Sequence, residues 1–239
     1  MINPIVREGH QAGVIQLFRA AVRHAMTRFT SSTVLATSLL SLVVLAASSP
    51  ALQAASRNSF PGRRVGGGTR GECAARPIVH LVPASSVYAP GTSSLIAWLE
   101  GPSTNPQPLE VTLRPASEDG RVSQDAQPLL QRQLPAAVNR LVLLTIPASA
   151  TPLLWESTYR CDADAGADEF GFITASSPPA RTLLVQKAEP EDQAVAAQLQ
   201  ALQSFCGAST AVAPLKAAFK FDDEVIDATW PQTITVQCF

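Results

Sequence analysis

Between Pro77 and Val185 prolines and polar turns divide the chain into short apolar or alternating segments, and that division constrains the fold more than any motif. Proline fixes φ and removes a ladder donor, so it belongs at strand ends, edges and turns. Pro77–Pro83 reads as a buried strand with a proline at each end. Ser94–Glu100 carries Leu95, Ala97 and Leu99 on one face and Ile96 and Trp98 on the other. Leu109–Pro115 alternates Leu109, Val111 and Leu113 with Glu110, Thr112 and Arg114, the pattern of a half-solvated strand. Leu129–Leu134, Arg140–Ile146, Trp155–Cys161, Phe170–Ala175 and Arg181–Val185 bring the set to about eight strands. Short strands at this spacing predict a mainly β chain built as an antiparallel sandwich. Trp155, Ser157, Tyr159 and Cys161 share one face, and a Trp/Tyr strand leading into a cysteine gives the sandwich an immunoglobulin-like character.

The pattern then changes period. Glu189–Phe205 places Val195, Leu199, Leu202 and Phe205 at helical spacing, with Pro190 at the first position and Gly207 as the C-terminal stop. This is the one C-terminal α-helix the sequence predicts, its apolar stripe directed at the sandwich. Ala213–Phe221 is mixed, and Thr233–Cys238 is a final strand candidate.

The front of the chain reads as a leader. Residues 34–47 form an uncharged apolar run preceded by Arg19, Arg23 and Arg28 and followed by Ser48-Ser49-Pro50 and Ala54. A basic region, an apolar region and a small residue, in that order, mark a secretory signal peptide, with cleavage expected after Ala54. Initiation at Met26 would give such a leader its usual length. The competing reading, an uncleaved anchor, normally needs about 20 apolar residues. Residues 1–54 are thus expected to be a signal peptide, 55–62 a flexible lead-in, 63–186 the sandwich, and 187–239 a helix with a disulfide-closed end. Loss of the leader leaves 14 basic and 18 acidic residues, a net charge of −4. That balance argues against nucleic acid as a partner.

Arg63-Arg64-Val65-Gly66-Gly67-Gly68-Thr69-Arg70-Gly71-Glu72-Cys73 opens the folded region. It satisfies G-x-G-x-x-G, but no strand precedes it, no helix follows, and Ser85–Ser94 has no acid to hold a ribose. The glycines are read instead as backbone geometry, allowing positive φ and close approach of another chain segment. The stretch Pro61–Cys73, followed by Leu81-Val82-Pro83, resembles the start of a secreted cyanobacterial family catalogued as domain of unknown function 928. Pro152–Asp162 resembles a second block of that family, a Tyr/Trp strand ending in Cys and acidic residues. The resemblance spans about residues 61–175. It departs at Ser93–Leu99, which has a single aromatic, Trp98, and after Arg181. It implies an extracytoplasmic β-rich domain and supplies no activity.

All four cysteines lie beyond the leader, and an even number in a secreted chain reads as two disulfides. Three pairings are possible. Cys73–Cys161 would join the two family-like blocks and Cys206–Cys238 would close the tail, and that pairing is preferred. Zinc is disfavoured, because no C-x₂-C pair exists and His80 is the only histidine past the leader.

Candidate sites are few. His80, between Val79 and Leu81, reads as a hydrogen-bonded strand residue, and no G-x-S-x-G elbow supplies a nucleophile for it. Asp162, Asp164 and Asp168 around Gly166 are the best metal candidates, offering hard oxygens suited to Ca²⁺, although Ile173 stands where an EF-hand needs glutamate. Asp222-Asp223-Glu224 with Asp227 reads as surface acidity. Arg63, Arg64 and Arg70, with Arg76, form a basic cluster: a solvated or carboxylate-paired edge, or a binding patch. Trp98 and Trp155 are expected in the core and Trp230, between Thr229 and Pro231, as a surface anchor. These features favour a secreted, non-enzymatic binding domain that meets an envelope protein or surface component, with membrane contact only through the leader. The alternatives are a carboxylate-based hydrolase acting through Asp162, Asp164 or Asp168, and a Ca²⁺ or small-ligand carrier.

Overall fold

The computed structural model describes residue 57 and residues 59–67, 77–160 and 178–239. Within them the protein is mainly β, with two sheets. The strands are β1 (Val65–Gly66), β2 (Ile78–His80), β3 (Val87–Tyr88), β4 (Leu95–Glu100), β5 (Leu109–Pro115), β6 (Leu130–Leu134), β7 (Arg140–Thr145), β8 (Leu153–Tyr159), β9 (Ala180–Leu184), β10 (Ser209–Ala211) and β11 (Thr233–Cys238). The helices are α1 (Pro190–Gln203) and α2 (Val212–Ala218). One sheet runs β1-β2-β4-β7-β11-β10, the other β3-β9-β8-β5-β6.

β2, β4 to β9 and β11 form where the pattern puts them, whereas β1, β3 and β10 match no expected strand. β4 is buried along its whole length, as expected of a strand with apolar residues on both faces. One of its faces meets the second sheet: Trp98 lies edge-on to Trp155 of β8, ring centroids 6.1 Å apart. α1 lies against β4 of the six-stranded sheet, and Val195, Leu199 and Leu202 of α1 join the main core with Val212 and Leu215 of α2. Pro190 occupies the first turn of α1, where its missing N–H is not needed. Asp192 accepts the backbone N–H of Glu189 at 2.8 Å and the reciprocal bond completes a capping box.

Three expectations are corrected. The sandwich is not purely antiparallel, since β11 pairs in parallel with β7, and β3 with β9. Parallel neighbours need a long crossover, and β11 returns to β7 after the excursion through α1 and α2. A second helix, α2, follows the first. Val212, Leu215 and Phe219 fall on one buried face, and Pro214 is tolerated in the first turn, where N–H groups have no intrahelical partner. Within residues 187–239, β10 and β11 complete the six-stranded sheet. Phe205, placed on the helical stripe by its spacing, is 41% exposed, because α1 ends at Gln203 and the turn that follows rotates it outward.

Arg57 and Phe60 of the lead-in pack onto the fold, while Ser59 and Pro61 are exposed. Phe60 is 7% exposed in a cluster with Val87, Leu154 and Leu183. Arg57 donates to Asp192 at 2.6 Å and to the Lys187 carbonyl at 2.8 Å. The strap then passes from one sheet to the other. Arg63 exchanges backbone hydrogen bonds with Arg181 of β9, and β1 pairs with β2. Here the glycine reading holds: a Cβ on Gly66 would sit 2.2 Å from the Ala180 nitrogen, so only glycine allows this approach. At the opposite edge the Arg132 guanidinium lies 4.4 Å from the Phe239 ring centroid, linking β6 to the chain beyond β11.

Cys206 and Cys238 form a disulfide, Cα atoms 5.6 Å apart, as the preferred pairing requires. Cys73, Cys161, Arg70, Arg76, the Asp162–Asp168 loop and Phe170–Ala175 lie outside the described residues. No described helix is long and apolar enough to cross a membrane.

Candidate functional site

β2 ends on His80, whose side chain enters the space between the sheets. Its Nδ1 lies 2.8 Å from Thr182 Oγ1 of β9, and its Nε2 lies 2.9 Å from Ser157 Oγ of β8. Trp155 Nε1 donates to the same serine oxygen at 3.0 Å, and the indole stacks on the imidazole at 3.5 Å between centroids. A neutral ring can donate through one nitrogen and accept through the other, so both hydroxyls are partnered. His80 is 0% exposed, and burial holds its pKa well below the ordinary histidine value. A serine thus stands beside a histidine, yet no solvent or substrate reaches either. The hydrogen-bonded strand histidine of the sequence reading is a bridge between two sheets.

That burial predicts an acid-sensitive fold. The folded ring refuses a proton that the unfolded ring, titrating near 6.5, accepts. The contribution is therefore fully present above the unfolded value and is lost as pH falls below it, by about 1.4 kcal/mol per pH unit. With His80 the only histidine past residue 54, urea denaturation of residues 55–239 should give a stability about 1.4 kcal/mol lower at pH 5.5 than at pH 7.5. Carboxylates held low in the fold contribute only at more acidic pH. Glu110 is one: partial burial would raise it, but hydrogen bonds from Arg160 and Gln131 hold it down. A flat profile across that window would show that the folded ring takes up a proton as readily as the unfolded one.

The basic cluster separates into different roles. Arg64 donates to the Phe219 carbonyl at 2.9 Å and to the Lys220 carbonyl at 3.2 Å, at the end of α2, and lies over the Phe221 ring at 4.4 Å. It caps a helix C-terminus, where carbonyls lack partners and a cation is favoured. Burial lowers its pKa, opposed by Asp222 and Glu191. Arg64 is therefore structural, and Arg63 is exposed while its backbone holds the strap. Trp230 is no surface anchor. It is 8% exposed, and its ring packs so tightly over Gly101 that a Cβ there would lie 2.9 Å from it. The acidic tail residues do local work: Asp222 accepts the N–H groups of Glu224 and Val225, Asp223 pairs with Lys216, and Asp227 accepts from Thr229. Among the described residues no three His, Cys, Asp or Glu side chains are grouped to hold a metal.

The accessible charge gathers elsewhere, on the outer face of the five-stranded sheet. Trp155, Ser157 and Tyr159 point inward, so Leu154 and Glu156 point outward. The register sets Arg114 of β5 opposite Leu154, and Arg181 of β9 opposite Glu156. These side chains line a cleft of about 880 Å³, together with Phe60, Asp119, Arg121 and Val122. Its rim is the turn after β5, closed by the bridge between Ala116 and Val122. Gly120 in that turn has φ +80° and faces Phe60, where a Cβ would lie 2.3 Å from the ring. Glycine is required there on both counts. Phe60, Leu154 and Leu183 form the apolar base beneath it.

The three guanidiniums differ in how they are held. Arg121 Nε lies 3.0 Å from Asp119 Oδ2, an exposed pair, and Asp119 is held below the usual carboxylate range chiefly by the Ser117 hydroxyl. Arg181 Nε is 3.0 Å from Glu156 Oε1, yet this buried N–H makes no hydrogen bond. The contact is one of charge and not of aligned donor and acceptor. Arg114 is exposed and within 4 Å of no described carboxylate, although its charge reaches Glu110. No single motif announced these residues, since each comes from a different strand or turn. Only Arg114 was placed on a solvent face by its alternation. Comparisons with protein-family models, curated proteins and solved structures give no match to this chain.

Proposed function

We propose that this protein is an extracytoplasmic, non-enzymatic binding domain whose contact surface is the arginine-lined cleft. One observation carries the reading: three guanidiniums from three separate elements converge over an apolar base, open to solvent, while the Ser157–His80–Thr182 cluster is sealed in the core. A binding surface needs accessible, convergent polar groups on a rigid frame, and the sheet provides that frame. The leader pattern, the Cys206–Cys238 disulfide and the resemblance to the domain of unknown function 928 family favour a periplasmic or cell-surface setting. In this reading the sandwich is immunoglobulin-like, Cys73 pairs with Cys161, and the partner is an envelope component.

The test is site-directed photocrosslinking in the producing cell, with the crosslinker at position 121 on the cleft rim or at position 138, an exposed site on the loop before β7. Position 121 should give a discrete adduct that position 138 does not. Equal labelling at both, or none at 121, would remove the cleft as the contact surface. Denatured, unreduced mass spectrometry of the same sample should show a chain beginning near residue 55 and lacking about four hydrogens.

A further inference from the structure

We infer that the cleft accepts a multiply charged oxyanion, carboxylate or phosphate, carried on a larger body; this rests on the cleft being the contact surface. The charge on its walls is unequal, three guanidiniums against the carboxylates of Asp119 and Glu156. The chain past the leader is net acidic, so the local excess runs against the overall sign. The planar guanidinium fork is suited to bidentate contact with carboxylate and phosphate.

The arginines are poised for an additional acceptor. Arg114 has no carboxylate partner among the described residues, and the buried Arg181 Nε–H has no aligned acceptor despite Glu156 at 3.0 Å. That N–H is enclosed, so a ligand in the cleft meets the terminal nitrogens of Arg181, whose side chain is 36% exposed. Arg114 and Arg181 stand on strands with β8 between them. Two strand spacings, with the two-residue offset between Leu154 and Glu156 along β8, set their backbones about 12 Å apart. Two long side chains can bracket a two-headed anion across that gap. The cleft, at about 880 Å³, exceeds what a small anion fills, which leaves room for the body that carries it.

Calorimetric titration in low-salt, phosphate-free buffer should show one-to-one binding of inorganic pyrophosphate or citrate, the two probes separating phosphate from carboxylate preference. Arg114→Gln should weaken binding roughly tenfold, the scale expected on loss of one charge-assisted contact. Glu156→Gln, which removes the competing carboxylate, should strengthen it severalfold. Arg121→Gln serves as a second exposed variant should Arg114→Gln fail to fold. Raised chloride should weaken binding progressively. Absence of binding by both probes up to about 10 mM would overturn the inference. So would binding that none of the three variants changes, the mark of an adventitious ion only. If the anions fail while position 121 still crosslinks selectively, the cleft stands as the contact surface and only its ligand class falls.

Discussion

Arg140→Met should destabilise the protein by about 3–5 kcal/mol, whereas Arg140→Met combined with Glu100→Leu should recover most of that loss. Glu100 and Arg140 stand opposite each other at the ends of β4 and β7, side chains 0% and 3% exposed, with Arg140 Nε 2.7 Å from Glu100 Oε1. The remaining polar atoms are well occupied. Arg140 donates to Gln237 Oε1 at 3.0 Å and to the Pro135 carbonyl at 3.1 Å, and Trp98 Nε1 donates to Glu100 at 3.3 Å. Burying both charges is unfavourable, and their attraction only offsets that penalty. Removing one partner keeps the penalty and loses the attraction. Removing both loses both, and what remains is the smaller loss at Trp98 Nε1 and Gln237. Urea denaturation of wild type, single and double variants decides it. A double variant as unstable as the single would mean that the hydrogen bonds to Gln237 and Pro135, and not the isolated carboxylate, dominate.

The same pair explains why the register of the six-stranded sheet is unique. β4 is apolar on both faces, so hydrophobicity alone penalises a one-residue slip of β4 against β7 only weakly. A slip would separate Glu100 from Arg140 and leave two charges buried without partners. Gln237 extends the constraint to β11, which pairs with β7 in parallel. His80 does the equivalent between sheets, since only one alignment brings both Ser157 and Thr182 to its nitrogens.

What was legible in the sequence was local. Leu109–Pro115 alternates and forms β5, whose register then fixes Arg114 on the outer face. The helix from Pro190 followed from periodicity and the proline at its start. Trp98 and Trp155 belong to the core, as strand tryptophans usually do. The misreadings share a different origin. β1, β3 and β10 are two or three residues long and exist only through pairing with distant strands, so no period marks them. Trp230 was judged by the polar residues beside it, but Gly101, on the far side of the sequence, decides its burial. Arg64 was read with its basic neighbours, while its partners, the carbonyls of Phe219 and Lys220, lie near the other end of the chain. The cleft is the extreme case. Arg114, Arg121 and Arg181 become neighbours only once β8 lies between β5 and β9.

Replacing Cys206 and Cys238 together by serine should lower stability by roughly 3.5–4 kcal/mol and leave the fold intact. The bond spans 32 positions, and closing a loop of that length in the unfolded chain removes conformational entropy worth about that much. Both cysteines are exposed, so the serines neither open a cavity nor bury a hydroxyl. The native contacts that hold the region do not depend on sulfur. Ile234 and Val236 are buried, β11 is paired on both sides, and the Phe239 backbone bonds to Leu143 and Thr145. The disulfide therefore acts mainly on the unfolded ensemble, and the two possible mechanisms predict different native-state exchange. If the constraint lies in the unfolded chain, the denaturation midpoint falls while amides of β7, β10 and β11 keep their relative order of protection. If instead the bond pins a frayed edge in the folded state, amides of β10 and β11 lose protection well before those of β7. The second outcome would make Cys206–Cys238 a clamp on the sheet's last two strands, and the entropic estimate would no longer apply.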